Sequence, residues 1–233
     1  VSFWRAMTDN DTGASEPYNL AQWYAAGKFA KYKTVSWLEQ EDALKITFTY
    51  QAACVPTFEF TVTYTAHFDG KLDVCVNYAG VSGMPDMPVL ALDFKMKKQL
   101  CNFQYYGLGP DENYSDRCKG ARLGLWKSTA KENLSGYLNP QECGNRTGVR
   151  TLSIHDDMQH GLTFQKASAP FEMSVLPYSA YELENAMHLD ELPSVRYTWV
   201  RIAAKQMGVL LHHVSTLAHP SRTPQQKCCH RAS

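Results

Sequence analysis

The sequence has little of what would assign it to a class at once. Neither sign of charge is in excess, since lysine plus arginine and aspartate plus glutamate each number 23. Nucleic acid and anionic membrane surfaces are therefore not expected partners, because both are recruited by clustered positive charge. No apolar run approaches the ~20 residues that a membrane span needs, and no basic segment followed by an apolar one marks a leader after Val1. Val1 itself reads as a point inside a longer protein. No Cys-x-x-Cys or His-x-x-x-His pair offers a zinc site. The seven cysteines (Cys54, Cys75, Cys101, Cys118, Cys143, Cys228 and Cys229) are odd in number and scattered, which argues against a disulfide scaffold and for reduced thiols in a cytoplasmic protein. Internal repeats, charge blocks and low-complexity linkers are also missing.

What is present is alternation. Leu44–Tyr50, Thr57–Phe68, Leu72–Tyr78 and Val89–Met96 place apolar residues at every second position, and Asp69-Gly70 between two of these runs is a hairpin signal. Val35–Leu38, Val149–His155, Gly161–Gln165, Phe171–Leu176 and Val195–Ala203 read as further strands. Two helices are expected. One runs from Asn19 to about Tyr32 with an interruption near Gly27, and one follows Ser179, whose spacing to Glu182 is that of a capping box. Many strands with few helices predict a large all-β sandwich in one domain. From residue 209 the alternation stops, and three histidines (His212, His213, His219), then Pro, Ser and Gln, precede Cys228-Cys229-His230, so 209–233 reads as an irregular tail.

Three stretches concentrate polar chemistry. Trp4-Arg5 leads into Asp9-Asn10-Asp11, which reads as a loop closed by Gly13. Tyr105–Arg117 combines Gly107, Gly109 and Pro110 with Glu112, Asp116 and Arg117, and reads as a glycine-fixed turn followed by an ion-pair network. Tyr137–Arg150, with Glu142 and Arg146, lies in a middle region that, with Gly120–Trp126, reads as rich in loops. Trp4, Tyr106 and His188 are each read as a packing residue or a sugar contact.

Four blocks in order carry a resemblance: Phe3-Trp-Arg-Ala-Met-Thr-Asp-Asn-Asp-Thr-Gly13, Tyr106-Gly-Leu-Gly-Pro-Asp-Glu-Asn-Tyr-Ser-Asp-Arg117, Pro140-Gln-Glu-Cys-Gly-Asn-Arg146 and His188-Leu-Asp-Glu-Leu-Pro193. Over about residues 3–208 the chain resembles the C-terminal domain of the large bacterial β-galactosidases of glycoside hydrolase family 2, a region that is a separate small subunit in some lactic bacteria. The resemblance implies a large antiparallel supersandwich similar to galactose mutarotases, with one or two short helices. It also implies galactosides such as lactose as substrate, a cytoplasmic setting and an oligomeric enzyme. The partner would be a barrel-bearing catalytic domain or large subunit.

Retaining glycosidases need two carboxyl groups ~5–5.5 Å apart. The resemblance puts both glutamates on that barrel, together with magnesium and sodium, and leaves no catalytic residue and no cofactor on this chain. What it assigns here is a mobile loop at the mouth of the site, Gly13-Ala-Ser-Glu-Pro17, with Gly13 as hinge and Ser15 and Glu16 holding the open or closed state. Asp9, Asn10 and Asp11 just before it either hold Arg5 or Arg117 in a loop network or line the mouth. Trp4, Arg5, Tyr106, Glu112, Arg117, Glu142, Arg146 and His188 are carried as sugar-facing or structural. The sequence departs from the family after Lys205-Gln-Met-Gly-Val209, where Leu210-Leu-His-His-Val-Ser-Thr216 stands in place of a Gly-Gly-Asp-Asp-Ser-Trp-Gly motif. Two other readings of the residues remain open. One is a mutarotase-like epimerase pairing Glu142 with His155 or His188, and the other is a non-catalytic carbohydrate-binding or scaffold module.

Overall fold

The computed structural model describes the backbone of residues 1–209 and 226–232, and side chains up to Val209. The N-terminal segment leads into two helices, α1 (Asp9–Gly13) and α2 (Glu16–Lys28). Then follow β1 (Lys31–Glu39), β2 (Ala43–Gln51), β3 (Glu59–His67), β4 (Leu72–Tyr78) and β5 (Val89–Lys97). The middle of the chain supplies β6 (Asn102–Gly109), β7 (Arg122–Thr129), β8 (Arg146–Val149), β9 (Thr151–His155), β10 (Gly161–Lys166) and β11 (Phe171–Leu176). Helix α3 (Ala180–Asn185), β12 (Tyr197–Gln206) and β13 (Gln226–Ala232) complete it.

The strands form a nine-stranded sheet, β1-β2-β3-β4-β13-β10-β9-β6-β7, and a four-stranded sheet, β5-β12-β11-β8. Neighbours pair antiparallel, so the expected all-β antiparallel sandwich is what the chain forms. Two cores lie between its layers. Phe94, Met96, Met173, Val175, Val200 and Ile202 of the smaller sheet pack on Phe103, Tyr105, Leu152, Ile154 and Phe164 of the larger. Over β3 and β4 the cover is Phe3 with Leu20 and Trp23 of α2, which meet Phe60, Val62, Val76 and Tyr78. Among the described residues no helix is long and apolar enough to cross a membrane.

The alternating runs became strands at nearly the expected bounds. Gly70 takes φ +86° in the β3–β4 hairpin, and α3 has its capping box, with Ser179 Oγ accepting from Glu182 N at 3.1 Å and Glu182 Oε2 accepting from Ser179 N at 2.8 Å. Four expectations need correction. The Asp9–Asp11 loop is helix α1, because Thr8 caps it: Thr8 Oγ1 accepts from Asp11 N at 3.2 Å while Asp11 Oδ2 accepts from Thr8 N at 2.8 Å. The next helix is already under way at Glu16 and runs through Gly27, where a Cβ would stand 3.2 Å from the Val1 carbonyl, so that glycine permits close packing and breaks nothing. Thiols Cys54, Cys101, Cys118 and Cys143 are free as expected, but Cys75 is disulfide-bonded. In the 209–233 tail, Gln226–Ala232 forms β13 between β4 and β10, and the expectation for 210–225 lies outside the described residues.

A further correction, beyond those four, concerns the glycines of Tyr105–Pro110. Gly107 and Gly109 are strand residues of β6, and Gly120–Trp126, read as loop, is largely its neighbour β7. Glycine inside a strand often marks a close approach of another group, and here that group is aromatic. A Cβ on Gly109 would lie 2.3 Å from Tyr105 Oη and 2.8 Å from the Trp126 ring, and one on Gly124 would lie 2.9 Å from the same indole. Trp126 Nε1 donates to the Gly107 carbonyl at 3.2 Å. Gly109→Ala is therefore expected to lose about 1–3 kcal/mol by overpacking. Urea unfolding of the variant should show a lower midpoint at an unchanged slope; an unchanged midpoint would mean that the two rings move aside freely.

Candidate functional site

The three polar stretches meet in a layer of buried charge and amide. Its first centre is Arg5, fully buried. Arg5 donates through Nη1 to Asp11 Oδ2 at 2.7 Å and to the Ala6 carbonyl at 3.0 Å, and through Nη2 to Asp11 Oδ1 at 3.1 Å and to the Gly208 carbonyl at 3.2 Å. This forked pair fixes α1 against the end of β12, the geometry in which an arginine–carboxylate pair is strongest. Asn10 adds a bond from Nδ2 to the Val209 carbonyl at 2.8 Å. Asp9, on the exposed side, accepts from Gln141 Nε2 at 2.9 Å and from Asn139 Nδ2 at 3.2 Å.

The second centre is Glu112. Its carboxylate accepts from Gly144 N at 2.7 Å, Tyr137 Oη at 2.8 Å, Ser135 Oγ at 2.9 Å and the Arg117 guanidinium. Burial pushes this carboxyl up, but the bonds from Gly144, Tyr137, Ser135 and Arg117 together outweigh it, and it titrates below the ordinary range. Asn113 and Asn145 stitch the same two loops, Asn113 N to the Asn145 carbonyl at 2.9 Å and Asn145 Nδ2 to the Asn113 carbonyl at 3.0 Å. Arg146 donates through Nε to Tyr105 Oη at 2.9 Å and to the Pro110 carbonyl at 3.1 Å. A cleft of about 570 Å³ opens beside this network, lined by Gly109–Asn113 and Asp116–Ala121.

The third centre joins the expected Glu142 to two residues that sequence reasoning missed, Arg201 and Asp93. Arg201 of β12 and Asp93 of β5 are register partners, and the guanidinium forks onto the carboxylate at 2.8 and 2.7 Å. Arg201 also donates to the Trp4 carbonyl at 2.9 Å and to Glu142 Oε2 at 3.4 Å. Glu142 takes its other bond from Gln206 Nε2 at 2.8 Å. Burial pushes the Glu142 carboxyl above its ordinary range, and Arg201 and Arg5 pull it back only in part. The signal that could have found this cluster is a lone Arg within Thr198-Trp-Val-Arg-Ile-Ala-Ala204, a charge among apolar strand neighbours that calls for a partner. A cleft of about 630 Å³ lies over it, bordered by Trp4, Tyr24, Lys28, Tyr181 and Trp199.

The remaining expected residues fall outside this layer. Gly13 and Ser15 are exposed and Glu16 half-buried, with Ser15 in the left-handed region at φ 62° between α1 and α2. Trp4 donates its indole N–H to Glu184 Oε2 at 3.1 Å and meets Tyr24 edge-on. Tyr106 is exposed beneath the Arg150 guanidinium. His188 is exposed just past α3. The Glu142–histidine pair of an epimerase is not formed, since Glu142 is taken by Arg201 and Gln206, and His155 Nδ1 lies 2.9 Å from the Asp156 carbonyl. Chemically the layer is a set of paired charges, with Arg5 Nε, Asn145 Oδ1 and Gln206 Oε1 left without a partner among the described residues. It can fix the shape of a rim, and its exposed members can hydrogen-bond a ligand.

Known proteins resemble this chain over most of its length. The family described as "Beta galactosidase small chain" matches residues 1–223. A β-galactosidase of Halalkalibacterium halodurans is 43% identical over 210 residues, covering 89% of this chain and 21% of that protein. One of Lactobacillus delbrueckii subsp. bulgaricus is 40% identical over 208 residues, covering 89% and 20%. A "Beta-galactosidase small subunit" of Latilactobacillus sakei is 33% identical over 238 residues, and there the match covers 89% of this chain and 74% of the relative. The chain thus spans about a fifth of the full-length relatives and most of the separate subunit.

Proposed function

The chain belongs to the β-galactosidase small-chain family, and from that premise we propose that it is the rim-forming part of a retaining β-galactosidase of glycoside hydrolase family 2. The enzyme hydrolyses terminal β-D-galactose, as in lactose, in the cytoplasm and as an oligomer. Its two glutamates, with any magnesium and sodium, lie on a barrel outside this chain. The observation that carries the reading is the family match across nearly the whole chain, beside relatives of which that match covers only about a fifth.

In this reading the sandwich comprises residues 1–208 together with β13 of the divergent ending 209–233. The turn after helix α1, hinged at Gly13, forms the movable edge of the galactose pocket, and α1 is its fixed support. Asp11 is the anchor, being buried against Arg5, while Asp9, Asn10 and Ser15 face outward with Glu16 half-exposed beside them. The departure from the family begins beside this edge, since Val209 is bonded to Asn10. Glu112, Arg117, Glu142 and Arg146 hold the rim in shape, and their role is positional.

The purified chain alone is expected to give no turnover of nitrophenyl galactoside. Mixing it with a Halalkalibacterium halodurans β-galactosidase shortened by the segment that this chain matches should restore turnover. Activity of the chain by itself, free of host enzyme, would overturn the proposal.

A further inference from the structure

The apolar face of the larger sheet does not stop where its cover stops. Three rows of side chains cross β4, β3, β2 and β1 on one face: Tyr78-Phe60-Tyr50-Tyr32, Val76-Val62-Phe48-Val35 and Val74-Tyr64-Ile46-Trp37. Along each row exposure rises toward the edge. In the first, Tyr78 and Phe60 are 2 and 3% exposed, Tyr50 is half-buried and Tyr32 is 58% exposed. In the third, Ile46 is half-buried and Trp37 reaches 69%. The register shift between Tyr32 and Thr34 returns Tyr32 to this face, so the bulge extends the stripe. The rings are already organised: Tyr50 stacks on Phe60 at 5.4 Å, and Tyr32 and Tyr50 meet edge-on at 6.4 Å. The opposite face of the same strands carries threonine, with Thr47 and Thr63 hydroxyls 3.0 Å apart, as a solvent face should.

Every residue of β1 is exposed. A strand with Tyr, Val and Trp on one face, unpaired on its outer edge among the described residues and continuous with a buried core, is an unfinished interface. Phe3 and α2 cover β3 and β4, and among the described residues nothing covers β1. We propose that the Tyr32–Val35–Trp37 face of β1, with Ile46 and Phe48 of β2 behind it, docks onto the rest of the β-galactosidase. That partner is the four-fifths of the full-length relatives that this chain does not match. Aromatic residues dominate binding energy at such surfaces, and the partner patch must be apolar, because this face presents no charge along its three rows. The inference rests on the reading of the chain as part of that enzyme and identifies the surface it uses.

The test uses the full chain and the shortened Halalkalibacterium halodurans enzyme. Trp37→Glu should weaken binding about 10-fold or more, with a parallel loss of restored turnover at limiting chain. Met158→Glu, at an equally exposed position on the β9–β10 turn, should leave both unchanged. Unfolding midpoints of both variants should match the parent, since both sites face water. Equal binding by parent and Trp37→Glu overturns the surface and leaves the proposed function standing. No binding by the parent overturns the proposed function, and the surface with it. Self-association of the parent that Trp37→Glu abolishes, seen by sedimentation velocity, assigns the face to a second copy and overturns the partner named here.

Discussion

Replacing Arg201 by Met is expected to remove about 3–5 kcal/mol from the stability of the chain, the range seen when one member of a buried charge cluster is deleted. The Arg201 side chain is 8% exposed, and its partners Asp93 and Glu142 are 28% and 3% exposed. Without the guanidinium, two carboxylates on adjoining elements lose their common cation and the Trp4 carbonyl loses its donor. Single domains are stable by only about 5–15 kcal/mol, so the variant should unfold at a much lower urea concentration. Arg201→Lys should recover only part of the loss, because an ammonium cannot fork onto Asp93 while reaching Trp4. Arg122→Met on exposed β7 is the control and should stay within about 0.5 kcal/mol of the parent. A loss below about 1 kcal/mol for Arg201→Met would show that the cluster contributes geometry and little energy.

The second large effect is set by pH. Glu172 of β11 is 8% exposed, and burial pushes its carboxyl from the ordinary 4.5 up to about 7, against the opposing bonds from Asn145 Nδ2 and the Gln206 backbone. The folded state therefore keeps a proton that the unfolded state has already released. Below about pH 4.5 both states are protonated and the penalty is absent; between 4.5 and 7 stability falls as pH rises; above 7 the penalty is complete, at roughly 3 kcal/mol. Glu172→Gln stays neutral and can still accept from Asn145. The variant should exceed the parent in stability at pH 8 by up to that amount, and the gap should close toward pH 4.5. Denaturation midpoints across this range decide it, and a gap that does not change with pH would show that Glu172 does not titrate in the window.

The strands that could be read from the sequence are those with one wet and one dry face. In β2, β3 and β4 that difference is printed as alternation, and the Asp69-Gly70 turn fixes how two of them pair. β6 and β7 were hidden because their glycines carry two meanings. Glycine allows a turn, and it also allows an indole to lie on a strand, and only the position of Trp126 shows which applies. α1 was hidden by its own composition: Asp and Asn favour turns in isolation, and the Thr8–Asp11 capping box outweighs that preference. The geometry of the rim was less legible still. Asp93 and Arg201 stand 108 positions apart in two apolar strands, and nothing local says that they share a register.

Arg5 also constrains when this chain can finish folding. Its bond to Gly208 closes a span of 203 positions, and at about 5–20 residues per second of synthesis that is roughly 10–40 s between the two ends leaving the ribosome. During that interval the Thr8–Asp11 cap, which spans three positions, can already form, but the Arg5 guanidinium has no access to the Gly208 carbonyl. So long-range a contact is slow to form, and the nascent protein must keep its N-terminal arginine hydrated until β12 arrives to take it in.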